Sequence, residues 1–337
     1  MSSEKILVTG GTGFLGSYLI KDLLKQDFHV RAIRRKSSRM DMLEGVADKV
    51  EWVEADVLNV PALEEALQDV DKVYHSAAVI SFDSRKRDWM MQINVEGTAN
   101  MVNLALDAGV RKFLHVSSIS SFGRYEMKKP IDESTNWQKH PDNTNYAISK
   151  HLSEMEVWRG QAEGLNTVII NPSTILGAGD WSTGSCALFD KIGKGLKFYT
   201  QGLNGFVDVR DVTKAAIQLM ESDISAERFI VSENNYRFKD IFFMIADAMQ
   251  KPRPSLKANP LLTGIAWRVE WLKSRLTGSE ALITKETARY TQMDFEYKKD
   301  KIKEALGVEF RPVSETIKET APIYLQSMRE GKEFGTF

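Results

Sequence analysis

The chain has 337 residues, 42% of them hydrophobic, which is enough apolar content for a full core in one large or two smaller domains. Its formal net charge of -1 gives no electrostatic basis for a nucleic-acid or anionic-membrane partner. A single cysteine, Cys186, excludes an internal disulfide; with no signal-like start and no apolar run of about 18 residues, a cytoplasmic protein without a membrane span is expected.

Lys5-Ile-Leu-Val8 reads as a short buried strand, and Ser17 to Leu24 repeats its apolar residues at helical spacing. Between them lies Thr9-Gly-Gly-Thr-Gly-Phe-Leu-Gly16. Strand, glycine turn and helix in that order form the context of a dinucleotide site. Gly10 takes the tight turn, Gly13 has no side chain to keep a pyrophosphate from the backbone, and Gly16 lets the helix lie close on the sheet. The helix N-terminus then offers unpaired N–H groups to the phosphates.

Phe28 to Ile33 is the second predicted strand, ending in Arg34-Arg35-Lys36-Ser37-Ser38-Arg39. An acidic residue there would hold a ribose 2′-hydroxyl, whereas arginines accommodate a 2′-phosphate, so the cluster favours NADP(H) over NAD(H). Arg35 and Arg34 are both candidate readers. Val50 to Ala55 reads as strand three, followed by Asp56-Val57, and Pro61 to Leu67 as a short helix. Lys72-Val-Tyr-His75 is strand four, running into the small residues Ser76, Ala77 and Ala78, which let a nucleotide pass close to backbone. His75 fits a buried strand end better than a catalytic role. A long helix is expected from Arg85 to Leu106, then strand five from Lys112 to Ser117 and a serine-rich turn ending in Phe122-Gly123. Residues 124–143 form a polar loop long enough to suggest function.

Tyr146-Ala-Ile-Ser-Lys150 heads the next helix and places Tyr146 and Lys150 on one face. Asn166 to Asn171 is strand six, with Pro172 and Ser173 just beyond it, and a further helix is expected to begin within Gly205 to Asp211. Alternating strands and helices predict a doubly wound parallel sheet, a Rossmann fold. Gly10, Asp56, Ser76, Ser118 and Pro172 all fall just past predicted strands, where ligands of open α/β sheets bind.

The Gly10-x-x-Gly13-x-x-Gly16 spacing, the serine-rich strand end and the Tyr-x-x-x-Lys pair together resemble the extended short-chain dehydrogenase/reductase family, part of the NAD-dependent epimerase/dehydratase superfamily. Asn94-Val-Glu-Gly-Thr98 matches the family pattern too, and Asn94 is expected to bond main chain near the centre. Phe206-Val-Asp-Val-Arg-Asp-Val212, Gly278 to Thr284 and Lys301 to Gly307 look most like its dihydroflavonol-4-reductase and 3β-hydroxysteroid dehydrogenase group. The resemblance implies a catalytic set of Ser118, Tyr146 and Lys150, with Ser117 as the alternative serine. It implies a cofactor cradle of Gly10, Thr12, Gly13, Phe14, Leu15, Gly16, Arg35, Asp56, Val57, Ser76, Ala77, Ala78, Tyr146, Lys150, Pro172 and Ser173, and no metal. Tyr146 would be the proton donor, Lys150 would lower its pKa and hold the nicotinamide ribose, and Ser118 would hold the substrate oxygen. The activity implied is NADPH-dependent reduction of an aldehyde or ketone, with a sugar-nucleotide epimerase or dehydratase as the alternative.

Residues 1–172 and 206–232 are expected to form the nucleotide domain, and 173–205 with 233–337 a smaller, mostly helical substrate domain. Within the latter, Leu261 to Leu272 make an apolar stripe flanked by Trp267 and Trp271. Trp181, Phe189 and Phe206 are candidates for the pocket wall. The family implies a homodimer through the helices near 85–108 and 144–162, with Met90, Met91, Met101, Val102 and Leu152 on their apolar faces.

Overall fold

The structure is a computed structural model that describes residues 4–123, 129–258 and 285–337. The apolar stripe at 261–272 and the segment Gly278 to Thr284 lie outside the described residues.

The first half alternates as the sequence predicts. β1 (Lys5–Thr9), α1 (Phe14–Lys25), β2 (His29–Arg34), β3 (Glu51–Glu54), α2 (Val60–Ala66) and β4 (Lys72–His75) come first. They are followed by α3 (Arg87–Met91), α4 (Gly97–Asp107), β5 (Lys112–Val116), α5 (Asn145–Ala162) and β6 (Thr167–Pro172). Local chemistry sets the helix starts: Asn59 caps α2 with Pro61 behind it, and Thr144 caps α5 by accepting from the Ala147 N–H at 3.0 Å.

Seven strands form one parallel sheet in the order β10-β6-β5-β4-β1-β2-β3, where β10 is Glu227–Val231. β4 and β6 are buried along their whole length, as strands covered by helices on both faces are. Helices cover both faces. Leu19, Ile20 and Leu23 of α1 pack on one face beside Val212, Ala216 and Met220 of α7 (Val209–Glu221). On the other face lie Leu63 of α2, Met101, Val102 and Ala105 of α4, and Val157 of α5.

The sheet order reverses between β1 and β4, whose last residues Thr9 and His75 are register partners. Ligands of open α/β sheets bind at such a switch point, outside the carboxyl ends of the strands.

The second half departs from the sequence reading. Ahead of the helix expected to begin within Gly205 to Asp211 lies a strand that the sequence does not announce, β9 (Leu203–Asp208), which pairs with β7 (Thr174–Leu176) and β11 (Asn234–Arg237) in a small separate sheet. α7 starts only at Val209, with the buried Asp208 carboxylate as its cap. That carboxylate also takes Arg210, Arg311 and Thr316, so the Phe206 to Val212 motif serves here as a structural staple.

α6 (Ala187–Gly193), α8 (Phe238–Ala248) and the helix Val313–Glu330 enclose another core. Trp181, Phe189 and Phe206, expected at a pocket wall, are enclosed in it at 2%, 0% and 0% exposure. Cys186 packs there too, its thiol pushed up to about 12 by burial, as suits a structural cysteine. Among the described residues no helix is long and apolar enough to cross a membrane.

Candidate active site

The glycine turn sits at the switch point. Gly10 has φ +68°, and a Cβ placed there would come within 2.7 Å of the Ala77 nitrogen. At Gly16 a Cβ would collide with the Gly10 carbonyl oxygen. Only glycine fits either position, so the chain closes into a tight loop that leaves the start of α1 bare. Gly13 is the exposed N-cap of α1, and the first turn has no side-chain cap and no acidic residue. This cradle fits a dinucleotide pyrophosphate: the glycines clear the space and the N–H groups face it. Thr12, Phe14 and Leu15 complete the turn and are partly exposed.

Ser76 and Ala77 form the opposite wall. The Ser76 hydroxyl donates to the Thr9 carbonyl at 2.7 Å, and the Ala77 N–H donates to the Thr9 hydroxyl at 3.2 Å. Ala78 is exposed beyond them. At the β3 end one Asp56 oxygen accepts from the Leu58 N–H. Val57 is buried where Gly97 of α4 comes close enough that a Cβ would meet its side chain at 2.5 Å.

The basic loop divides into two parts. Arg39 is committed: it pairs with Glu333 at 2.8 Å and stacks on Phe334 at 4.1 Å. Among the described residues neither Arg34 nor Arg35 has an ion-pair partner, and Arg35 stands exposed with its N–H held by Ser38. The two arginines favoured from sequence are therefore the ones whose charge is unspent.

His75 is a satisfied core residue. Its ring bridges the Thr9 and Thr98 hydroxyls at 2.8 and 3.0 Å, and burial, reinforced by the Lys150 ammonium, drives its pKa down to about 3.

On α5, Tyr146 is half-buried and meets Phe82 edge-on at 6.0 Å. One turn later Lys150 is 2% exposed, and its ammonium donates to the Val116 carbonyl at 2.8 Å. Burial lowers its pKa to about 8, against the opposing pull of the Glu154 carboxylate. Val116 ends β5, two residues before Ser118, so the lysine reaches the foot of the serine turn. Ser118 is half-buried, and its hydroxyl accepts from the Ser120 N–H at 3.1 Å. Ser117 is buried on the other side of the strand, its hydroxyl lacking a partner among the described residues. Pro172 and Ser173 are buried at the β6 end; the Ser173 N–H is bonded to the Val231 carbonyl.

Asn94 occupies a π-helical turn, Gln92–Glu96, between α3 and α4. Its amide both accepts from the Val79 N–H (2.7 Å) and donates to the Val79 carbonyl (2.9 Å). It also donates to Ser149, whose hydroxyl donates to the Tyr146 carbonyl. The expected main-chain bond is thus a clamp between the loop after β4 and the start of α5.

A buried Glu154–Asn171–Ser121 cluster with Arg228 behind it was not anticipated. The available signal was Glu154 standing four residues after Lys150, on the same helix face.

A doubly wound sheet with an open glycine cradle at its switch point and a buried lysine beside a serine turn defines a dinucleotide-binding enzyme. The NAD-dependent epimerase/dehydratase family matches residues 6–231, and the chain belongs to it, as an extended short-chain dehydrogenase/reductase. It is similar to sterol demethylase protein B of Methylococcus capsulatus, 31% identical over 80% of this chain and 82% of that protein. A putative dihydroflavonol 4-reductase of Synechocystis sp. is 30% identical over 75% of this chain and 74% of its own. The crystal structure of gox2253 superposes with a TM-score of 0.82 at 28% identity, covering 97% of this chain and 99% of that one. Family and relatives together make the chain an NAD(P)-dependent oxidoreductase.

Proposed function

We propose that the protein is an NADPH-dependent reductase of an aldehyde or ketone, with Tyr146 as proton donor. The observation that carries this reading is the convergence of Lys150 and the Ser118 turn at the β5 end, with Tyr146 one helical turn away. Hydride comes from the nicotinamide when the cofactor is bound. The chain's own residues then meet the negative charge that grows on the substrate oxygen. Ser118 holds that oxygen by hydrogen bond, and Tyr146 delivers the proton. Lys150 supplies a cationic environment that favours the phenolate left behind.

Gly10, Thr12, Gly13, Phe14, Leu15 and Gly16 would hold the pyrophosphate, and Asp56 and Val57 the adenine. Ser76, Ala77 and Ala78 would lie along the nucleotide, with Pro172 and Ser173 near the nicotinamide. Arg35 would read the 2′-phosphate. The reductase name of the Synechocystis relative supports the direction of chemistry, and the uncommitted Arg34 and Arg35 support the choice of cofactor. Residues 173–205 and 233–337 would select the substrate.

The test is purified protein scanned for bound cofactor, then assayed with NADPH and NADH over a panel of aldehydes and ketones. Carbonyl-dependent oxidation of exchangeable NADPH is expected. Tightly retained NAD with turnover of a sugar nucleotide would replace this reading with epimerase or dehydratase chemistry.

A further inference from the structure

Glu154 is completely buried, four residues after Lys150. A carboxylate in that setting is costly unless each oxygen is engaged. Oε1 accepts from the Ser121 hydroxyl at 2.6 Å and from the Asn171 amide at 2.5 Å. Oε2 accepts from Arg228 at 3.2 Å.

Both partners of Oε1 lead to one atom. The Asn171 amide also lies 3.2 Å from the Ser118 carbonyl oxygen, and the Ser121 hydroxyl 2.9 Å from it. The Ser121 N–H donates to the same oxygen at 3.0 Å. Because acceptors converge on it, the amino end of Asn171 must face this cluster, and its own oxygen is left buried without a partner among the described residues. The Ser118 carbonyl is thereby pinned, and with it the backbone that carries the Ser118 hydroxyl, which itself accepts from the Ser120 N–H and donates to the Ser120 hydroxyl, both at 3.1 Å.

Arg228, from β10, fixes the far side. It stacks on Phe122 at 4.3 Å and donates to the Glu133 and Thr135 carbonyls at 3.0 and 2.9 Å. The pair therefore joins the serine turn, α5, the end of β6 and the loop that precedes α5. A buried ion pair is weak evidence for stability as such, so the convergence on the Ser118 peptide is the more informative feature.

We propose that Glu154, held by Arg228, is a positioning residue that orients the Ser118 hydroxyl toward the substrate oxygen through Ser121 and Asn171. This rests on the reading of Ser118 given above.

Glu154→Gln keeps the acceptor for Ser121 and Asn171 but sets an amide N–H against Arg228 and removes the charge. It should lower kcat on the order of ten- to a hundred-fold, the range a small misplacement of a catalytic group costs. NADPH affinity and KM should change little. The decisive readout is coupling. In a Ser118→Ala background the same substitution should have almost no further effect, because the group it positions is gone.

An equal loss in both backgrounds would show that Glu154 acts elsewhere, for instance through Lys150, and would overturn the proposal. So would an unchanged kcat in the single variant. A fully active Ser118→Ala would instead overturn the assignment of Ser118, and the proposal with it. If Glu154→Gln does not yield folded protein, Ser121→Ala takes its place, removing one link while leaving both charges, with the same expected coupling.

Discussion

Lys150→Met should make the cofactor-free protein more stable while it loses activity. The ammonium is completely buried, and burial moves its pKa from 10.5 to about 8. Holding it charged at neutral pH therefore costs roughly 3 kcal/mol. Methionine fills nearly the same volume without a charge. The change also removes the 2.8 Å bond to the Val116 carbonyl, a loss of about 1–2 kcal/mol. A net gain of about 1–2 kcal/mol remains, or a melting temperature higher by roughly 1–3 °C for a chain of this size. The pH dependence gives a second check. Between about pH 8 and pH 10.5 the native lysine is neutral while the unfolded one still binds its proton, so wild-type stability rises with pH across that window. The advantage of the methionine variant should be full below the window and gone above it. Melting curves of both apo proteins near neutrality and at about pH 10, with NADPH titrations alongside, test this. A variant that melts below wild type at neutral pH, or a gap that does not close at high pH, would refute the reasoning.

The other predictions follow from the same geometry. Tyr146→Phe should lower kcat and kcat/KM together by ~10²–10⁴-fold and leave NADPH binding near normal, because one hydroxyl is lost and the ring is kept; more than about a tenth of wild-type turnover would assign the proton to another residue. Arg35→Asp should weaken NADPH roughly ten- to a hundred-fold and NADH by much less, as measured by fluorescence titration; equal losses would remove Arg35 as the reader of the 2′-phosphate. A homodimer through the outer faces of α3 and α5 remains our expectation, but the apolar residues offered change. Met90, Met101 and Val102 are buried in the chain's own core, whereas Trp89, Leu152 and Met155 are exposed at 41%, 39% and 42%. Leu152→Glu with Met155→Glu should leave the melting temperature within a few degrees and convert a dimer to a monomer by sedimentation; wild-type protein that sediments as a monomer would end the proposal.

What could be read in the sequence was what local chemistry dictates. Gly10 and Gly16 announce themselves because a Cβ at either position would run into backbone atoms. Tyr146 and Lys150 announce themselves because four residues make one helical turn. Ser117 and Ser118, adjacent in sequence, stayed alternatives, because local spacing says only that they point to opposite sides of the chain. Long-range pairing was not legible. Glu154 and Arg228 stand 74 positions apart, and only the packing of β10 beside β6 brings them together. The strand Leu203–Asp208 was missed because it runs straight into the cap of α7, and only the helix start within Gly205 to Asp211 was legible. Short strands such as Thr174–Leu176 and Asn234–Arg237 carry too few residues for a periodicity to register.

The π-turn at Gln92–Glu96 leaves the helix that runs from Arg87 to Asp107 one residue out of phase with itself. Met90, ahead of the turn, and Met101, Val102 and Ala105, behind it, all face inward, yet they do so across a surplus residue. Deleting one residue from this stretch, Val95 for example, would let the helix relax to regular winding with both inward faces still aligned. Asn94 would then no longer bulge far enough to grip both backbone groups of Val79. Length itself is therefore a functional quantity in this helix: a chain one residue shorter there would fold as well and hold the loop after β4 less well.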